Sequence, residues 1–377
     1  MDDLKIRKDR AAGRITLTRP QALNALSRDM ALAIDAALRA WRDDPEVALV
    51  IVDAEGDRAF CAGGDIAAVY RAGLAGDHDL GRAFFRDEYR MNARIAGFPK
   101  PVVAFMQGFV MGGGVGVGGH ASHRVVGDTT QIAMPESGIG LIPDVGGTWL
   151  LSRAPGRIGE YLALTGTRMG AGDAIHAGFA DTYIPEEQWP DLIARLEATG
   201  DVALIEGGDA PSAPLRTLDL SPFAKDTVAD IIDALEEDGN AQVLKVLAGN
   251  SPLSMAAGLA MVRAARDDTR MQDSLAREYR FTHRATQETD FLEGVRAQII
   301  DKDRKPRWMA DASPDHVAAL LASHSSAFSY SLRTRSNSLS SSSSWMYPVN
   351  SLCLGARPIA VPRILRASCT SRRRISK

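Results

Sequence analysis

Residues 100–128, KPVVAFMQGFVMGGGVGVGGHASHRVVGD, decide how the fold is read. An apolar, strand-like run leads into the glycine-rich MGGGVGVGGH (111–120), and a second apolar run, HRVV, follows it. β-Branched runs bounded by glycine read as buried strands, and the small residues between them read as a tightly packed helix. Upstream, GRITLTR (13–19) and ALVIVDAEG (48–56) read as strands. Between them Ser27 can cap a helix that puts Met30, Ile34, Leu38 and Trp41 on one face. Downstream, TTQIAMPES (129–137) adds another short strand. Strands alternating with helices predict an α/β arrangement. Recurrent short strand pairs followed by helices fit a coiled ββα superhelix, a pattern that a doubly wound sheet shares.

From about Gly156 the signal turns helical. RIGEYLALTG (157–166), SPLSMAAGLAMVRAARDD (251–268) with Pro252 at a first helical position, and DFLEGVRAQIIDKDR (290–304) all have helical periodicity. GGDAPSAPLRTLDLSP (207–222) reads as a loop. The chain therefore divides into a core, 1–205, a C-terminal helical region, 206–324, and a tail, 325–377. SPDHVAALLAS (313–323) is the last stretch that reads as helix. The tail has 15 serines and nine Lys or Arg but no acid, which leaves 35 basic against 47 acidic residues before it. It reads as disordered, and a shifted reading frame near the end of the gene would account for its composition.

With 377 residues, 45% apolar and 24% charged, the chain has the composition of a globular protein able to bury a large core. No run of 18 apolar residues is present, so no membrane span is expected. The opening MDDLKIRKDRAAGRITL has no apolar leader pattern, which gives the cytoplasm as the expected compartment. An acidic body without a basic stripe argues against nucleic-acid binding. Cys61, Cys353 and Cys369 are too scattered for a disulfide framework or a zinc site, and no metal is expected. Cys61 reads as a small packing residue.

Chemistry concentrates in three motifs. FCAGGDI (60–66) runs from an apolar stretch into two glycines, so Gly63 and Gly64 can aim amide N–H groups at a ligand where a helix begins near Asp65. MGGGVGVGGH has the same character, and two such amides facing one another would make an oxyanion hole. Gly114, Gly116 and Gly119 also satisfy a G-x-G-x-x-G dinucleotide pattern, with Asp128 or Glu136 as its distal acid; close helix packing explains the glycines equally well. MPESGIGLIPDVGG (134–147) sets Glu136 and Asp144 in an apolar segment where neither is needed for solubility. Either could be a turn or cap residue.

RAFCAGGDI (58–66), FVMGGGVGVGGH (109–120), MPESGIGLIPDVGGTWLLSRAPG (134–156), EYLALTGTRMGAGDAIHAGFAD (160–181) and DFLEGVRAQIIDKDRKPRW (290–308) together resemble the enoyl-CoA hydratase/isomerase (crotonase) superfamily, and within it the 3-hydroxyisobutyryl-CoA hydrolase branch. The resemblance runs from about Gly13 to about Trp308. It implies a ββα superhelix, oxyanion amides at Gly64 and Gly113, and coenzyme A passing Gly63, Asp65 and Ile66. It also implies catalytic roles for Glu136 and Asp144 and a substrate-contacting Glu88, which read without it is a solvated helix residue paired with Arg90 or Arg94. Hydratases of the superfamily carry a second glutamate three residues beyond the second oxyanion glycine, where this chain has Gly116, and a glycine where it has Asp144. The implied reaction is thioester hydrolysis of a short 3-hydroxyacyl-CoA in valine breakdown, with coenzyme A as part of the substrate and no separate cofactor. The alternatives are an enoyl-CoA hydratase or isomerase using Glu136 alone, and a non-catalytic CoA-binding protein. The resemblance also allows a homo-oligomer.

Overall fold

A computed structural model describes residues 2–309 and 311–323; the tail lies outside the described residues. Strands β1 (Leu4–Asp9) and β2 (Ala12–Leu17) form an antiparallel hairpin. Helix α1 (Arg28–Trp41) follows, begun by Ser27, whose side chain accepts from the Met30 N–H. Three pairs of short strands come next: β3 (Leu49–Ala54) with β4 (Ala59–Cys61), β5 (Val102–Met106) with β6 (Phe109–Met111), and β7 (His123–Val126) with β8 (Gln131–Ala133). Helices α2 (Ile66–Leu74) and α3 (His78–Ala96) follow the first pair, and α4 (Gly113–Gly118) follows the second.

The first strand of each pair joins a six-stranded sheet ordered β1-β2-β3-β5-β7-β9, with β9 at Thr182–Tyr183. The second joins a three-stranded sheet ordered β4-β6-β8, which is parallel throughout. Every turn of the chain thus lays one strand in each sheet before its helix. That is the coiled ββα superhelix and not a doubly wound sheet.

The parallel centre of the large sheet, β2, β3 and β5, is buried on both faces, while the antiparallel edge strand β1 is largely exposed. Side chains alternate along each strand. Val50, Val52, Ala104 and Met106 therefore enter the core under α1 and α3, whereas Leu49, Ile51, Val103 and Phe105 pack under Trp189, Ile193 and Leu196 of the helix Trp189–Thr199. The C-terminal helices Pro252–Ala264, Met271–Thr282, Phe291–Val295 and Pro314–Leu321 contribute to the first of these clusters. Residues on both sides of position 205 therefore share one core. The segment expected to be helical over 290–304 turns α to π at Arg296–Ile300 and leaves helical geometry at Asp301. The cause is local: the Arg296 guanidinium gathers Glu293, Asp301 and Asp303 around itself and curls the chain back.

Two sites separate steric need for glycine from conformational need. A Cβ added at Gly114 would lie 2.1 Å from the Cys61 carbonyl oxygen, a backbone atom that cannot step aside. Gly239 has φ +69° but meets nothing within 4 Å. We expect Gly114→Ala to lose about 3 kcal/mol by overpacking and Gly239→Ala about 1 kcal/mol by backbone conformation alone. Urea midpoints of the two variants check this; equal losses would show that α4 does not depend on close approach to β4.

Candidate active site

The small sheet delivers the site. In register, β4 pairs Cys61 with Val110 of β6, and β6 pairs Met111 with Ala133 of β8. Three parallel strands therefore end side by side. Beyond β4 the chain turns at Gly63 (φ +118°) before Gly64, and beyond β6 it turns at Gly112 (φ +48°) before Gly113. A positive φ costs glycine little, and here it redirects the next N–H away from the sheet. Neither the Gly64 nor the Gly113 amide donates to an acceptor among the described residues. A Cβ at Gly113 would lie 3.1 Å from the Gly64 nitrogen, so the two turns converge on one point. Beyond β8 comes Glu136, which opens a short 3-10 turn, Glu136–Ile139.

These elements surround a cavity of about 370 Å³ lined by Gly63, Gly64, Ile66, Glu88, Gly113, Glu136 and Asp144, with Asn250, Gln298 and Ile299 closing it from the C-terminal region. Asp65 is not among the lining residues; its carboxylate receives Arg19 at 2.9 Å instead. Glu88, Glu136 and Asp144 are 2%, 4% and 4% exposed, and among the described residues no Lys, Arg or His lines the cavity. A Cβ at Gly113 would meet Glu88 Oε1 at 2.7 Å, and one at Gly112 would meet Glu136 Oε1 at 2.8 Å. The two acids thus flank adjacent glycines. Glu88 Oε1 and Glu136 Oε2 are buried and have no hydrogen-bond partner among the described residues.

Such surroundings hold protons on carboxylates. Burial, with the charge of Asp144 behind it, lifts Glu88 and Glu136 well above the usual carboxylate range. Burial also pushes Asp144 up to about 7, opposed by the hydrogen bond it accepts from Tyr89 at 2.8 Å. Asp87, one residue before Glu88, behaves oppositely: burial would raise it, but Arg86 and Arg28 outweigh that and hold it low. The expected pairing of Glu88 with Arg90 or Arg94 does not form, because Arg90 turns to Asp87 and Arg94 to Asp35. Burial pushes the Cys61 thiol up to about 12, consistent with a packing role.

The glycines of the dinucleotide pattern pack. Gly114 abuts Cys61, and a Cβ at Gly116 would meet Asn92 Nδ2 at 2.6 Å and Val145 Cβ at 2.9 Å. Asp128, its proposed distal acid, accepts from the Tyr183 hydroxyl and the Glu186 N–H. Among the described residues no group of His, Cys, Asp and Glu is placed to hold a metal.

Three supporting residues carried no signal in the sequence. Tyr89 holds Asp144 from α3 and lies 3.2 Å from Thr282 Oγ1. His120 Nε2 donates to the Val145 carbonyl at 2.7 Å, and burial lowers its pKa to about 4, so it stays neutral. Glu278, fully buried on the helix Met271–Thr282, accepts from the Gly146 N–H at 2.8 Å and from the N–H and hydroxyl of Thr148.

Known proteins place this arrangement. The chain is 40% identical over 334 residues to the mitochondrial 3-hydroxyisobutyryl-CoA hydrolase of Xenopus tropicalis, covering 83% of this chain and 86% of that protein. It is 36% identical over 326 residues to the mitochondrial protein of the same name from Homo sapiens, covering 81% and 84%. Among solved structures, an enoyl-CoA hydratase from Rhodobacter sphaeroides 2.4.1 superposes with a TM-score of 0.82 at 57% identity, covering 85% of this chain and 97% of that one. A carnitinyl-CoA dehydratase from Mycobacterium thermoresistibile gives the same TM-score at 39% identity, covering 87% and 99%. Residues 12–324 match the family described as enoyl-CoA hydratase/isomerase, and with strand pairs, glycine turns and acids arranged as above, the chain belongs to that family.

Proposed function

We propose that the protein hydrolyses the thioester of 3-hydroxyisobutyryl-CoA, or of a related short 3-hydroxyacyl-CoA, to the free acid and coenzyme A. The structural relatives are named hydratase and dehydratase whereas the sequence relatives are named hydrolases. The observation that favours hydrolysis lies at positions 116 and 144. The position where hydratases of the superfamily carry a second glutamate is Gly116, closed by Asn92 and Val145, and an acid stands instead at Asp144. Hydrolysis fits the valine breakdown associated with that activity. The relatives are mitochondrial by name, which does not fit a strictly cytoplasmic enzyme. No helix among the described residues is long and apolar enough to cross a membrane.

In the proposed chemistry the thioester oxygen sits between the Gly64 and Gly113 amides, which stabilise the charge it gains as the carbonyl is attacked. Glu136 acts in its ionised form by one of two routes. It attacks the carbonyl carbon, expels the CoA thiolate and leaves a mixed anhydride that water opens, or it takes a proton from the water that attacks directly. Asp144 receives the 3-hydroxyl, and Glu88 contacts the substrate from α3. Coenzyme A enters as part of the substrate past Gly63 and Ile66.

Three measurements test this. Release of free thiol from 3-hydroxyisobutyryl-CoA, without hydration of enoyl-CoA, is the expected activity; hydration without thiol release would overturn it. Glu136→Gln keeps the side chain's shape but removes its basicity and nucleophilicity, so turnover should fall about 10²-fold or more with little change in binding. Protonation also reaches stability. Asp144 titrates near 7 when folded against 3.8 as its ordinary value, so the folded state holds a proton that the unfolded state releases. That contribution is complete below about pH 4 and lost as pH rises through 7. The thermal midpoint should therefore decline between pH 5.5 and 8.5, and Asp144→Asn should make the decline shallower, the remainder coming from Glu88, Glu136 and Glu278, which burial also raises; an unchanged slope would show that Asp144 is ionised throughout.

A further inference from the structure

Asp144 stands on an unusual piece of backbone. Val145 has φ +54°. For a β-branched residue the left-handed region is a genuine outlier, costing about 1–3 kcal/mol, and it persists only where neighbours over-determine it. The neighbours are visible. On one side Tyr89 holds the Asp144 carboxylate, and His120 holds the Val145 carbonyl. On the other, both carboxylate oxygens of Glu278 are engaged: Oε2 takes the Gly146 N–H, and Oε1 takes the N–H and hydroxyl of Thr148. Gly146 to Thr148 form the start of the helix Gly147–Arg153, so Glu278 satisfies N–H groups that a helix start leaves without partners. Glu278 lies outside the cavity lining and belongs to a helix more than 120 residues away in sequence.

We infer that Glu278 is a positioning residue for hydroxyl recognition: by pinning the backbone at Gly146 and Thr148 it fixes the strained Val145 turn and thereby aims Asp144 at the 3-hydroxyl of the substrate. The same helix acts twice, since Thr282, one turn on from Glu278, meets the Tyr89 hydroxyl that holds Asp144. A helix of the C-terminal region therefore sets the geometry of an acid carried by the superhelix. Without the clamp, the turn relaxes toward ordinary φ and swings Asp144 away. The oxyanion amides of Gly64 and Gly113 stand just beyond β4 and β6 and are untouched by that change. The predicted defect is consequently selective: the 3-hydroxyl loses its partner while the thioester keeps its cradle.

The inference rests on the assignment of the 3-hydroxyl to Asp144, and the test keeps the two apart. Non-hydrolysable thioether analogues of a 3-hydroxyacyl-CoA and of the matching plain acyl-CoA are titrated calorimetrically into the full-length protein and its variants. The readout is the ratio of the two dissociation constants, which general loss of packing moves little. Asp144→Asn should reduce the preference for the hydroxylated analogue about tenfold, the scale of a single buried hydrogen bond to an ionisable group. Glu278→Gln should reproduce most of that loss, and the double variant should lose no more than Asp144→Asn alone, since residues acting through one another are not additive. A folded Glu278→Gln protein with the wild-type ratio, beside an Asp144→Asn protein that has lost it, overturns the inference alone. A wild-type ratio in Asp144→Asn overturns the hydroxyl assignment and the inference with it. Should Glu278→Gln show no cooperative thermal transition, Thr148→Val decides: it removes only the hydroxyl donor and should lower the ratio a few-fold, and an unchanged ratio counts against Glu278.

Discussion

Parallel pairing of three very short strands is the constraint on which the site depends. β4, β6 and β8 contribute only three residues each, yet their register fixes where each chain leaves the sheet. A slip of one residue would turn Gly64, Gly113 or Glu136 to the wrong side, because successive residues along a strand face opposite ways. So short a sheet cannot hold its own register by hydrogen bonding. The large sheet holds it, because each three-residue strand follows its somewhat longer partner in that sheet, β3, β5 or β7, after at most four residues. At the β5–β6 corner Gly108 passes so close to Arg58 that a Cβ would lie 2.3 Å from its carbonyl oxygen.

That division of labour explains the placement of function. The long strands bury apolar side chains on both faces and supply most of the hydrophobic stabilisation. The short strands add Phe60, Val110 and Ile132 to the same core, and two of the three run on into glycine turns at Gly63 and Gly112. A pocket with three carboxylates and no cation among the described residues is an energetic liability, and it is tolerable because the burial elsewhere is large. Two neighbours on α3 show how finely this is drawn. Both are buried, but Asp87 has Arg28 and Arg86 on its carboxylate, while Glu88 faces the cavity.

Much of this was legible in the sequence. The alternation of strand and helix, the helix capped by Ser27 and the two glycine turns announce themselves, because periodicity and glycine carry local physical meaning. The choice of a ββα superhelix over a doubly wound sheet and the reading of the acids at 136 and 144 come instead from the family resemblance. What was not legible depends on partners distant along the chain. LAREYRF (275–281) reads as a charged amphipathic helix, and nothing in it says that Glu278 is buried against residues 146 and 148. Glu88 misleads in the same way. Its neighbouring arginines look available, and only the fold reveals that Asp87 and Asp35 claim them. The end of the helical run at Asp301 turns on charges close in sequence, which periodicity does not weigh.

The packing of Asn92 against Gly116 bears on how members of one family could exchange activities over time. A Cβ at position 116 would lie 2.6 Å from Asn92 Nδ2 and 2.9 Å from Val145 Cβ, so a second carboxylate there requires both neighbours to shift. Should Asn92 first give way to something smaller, the protein would carry a void beside its active site until the acid arrived. The intermediate would be both less stable and no better a hydratase, leaving natural selection nothing to favour along the route. A lineage that has filled this space is held to its chemistry by volume as firmly as by its catalytic groups.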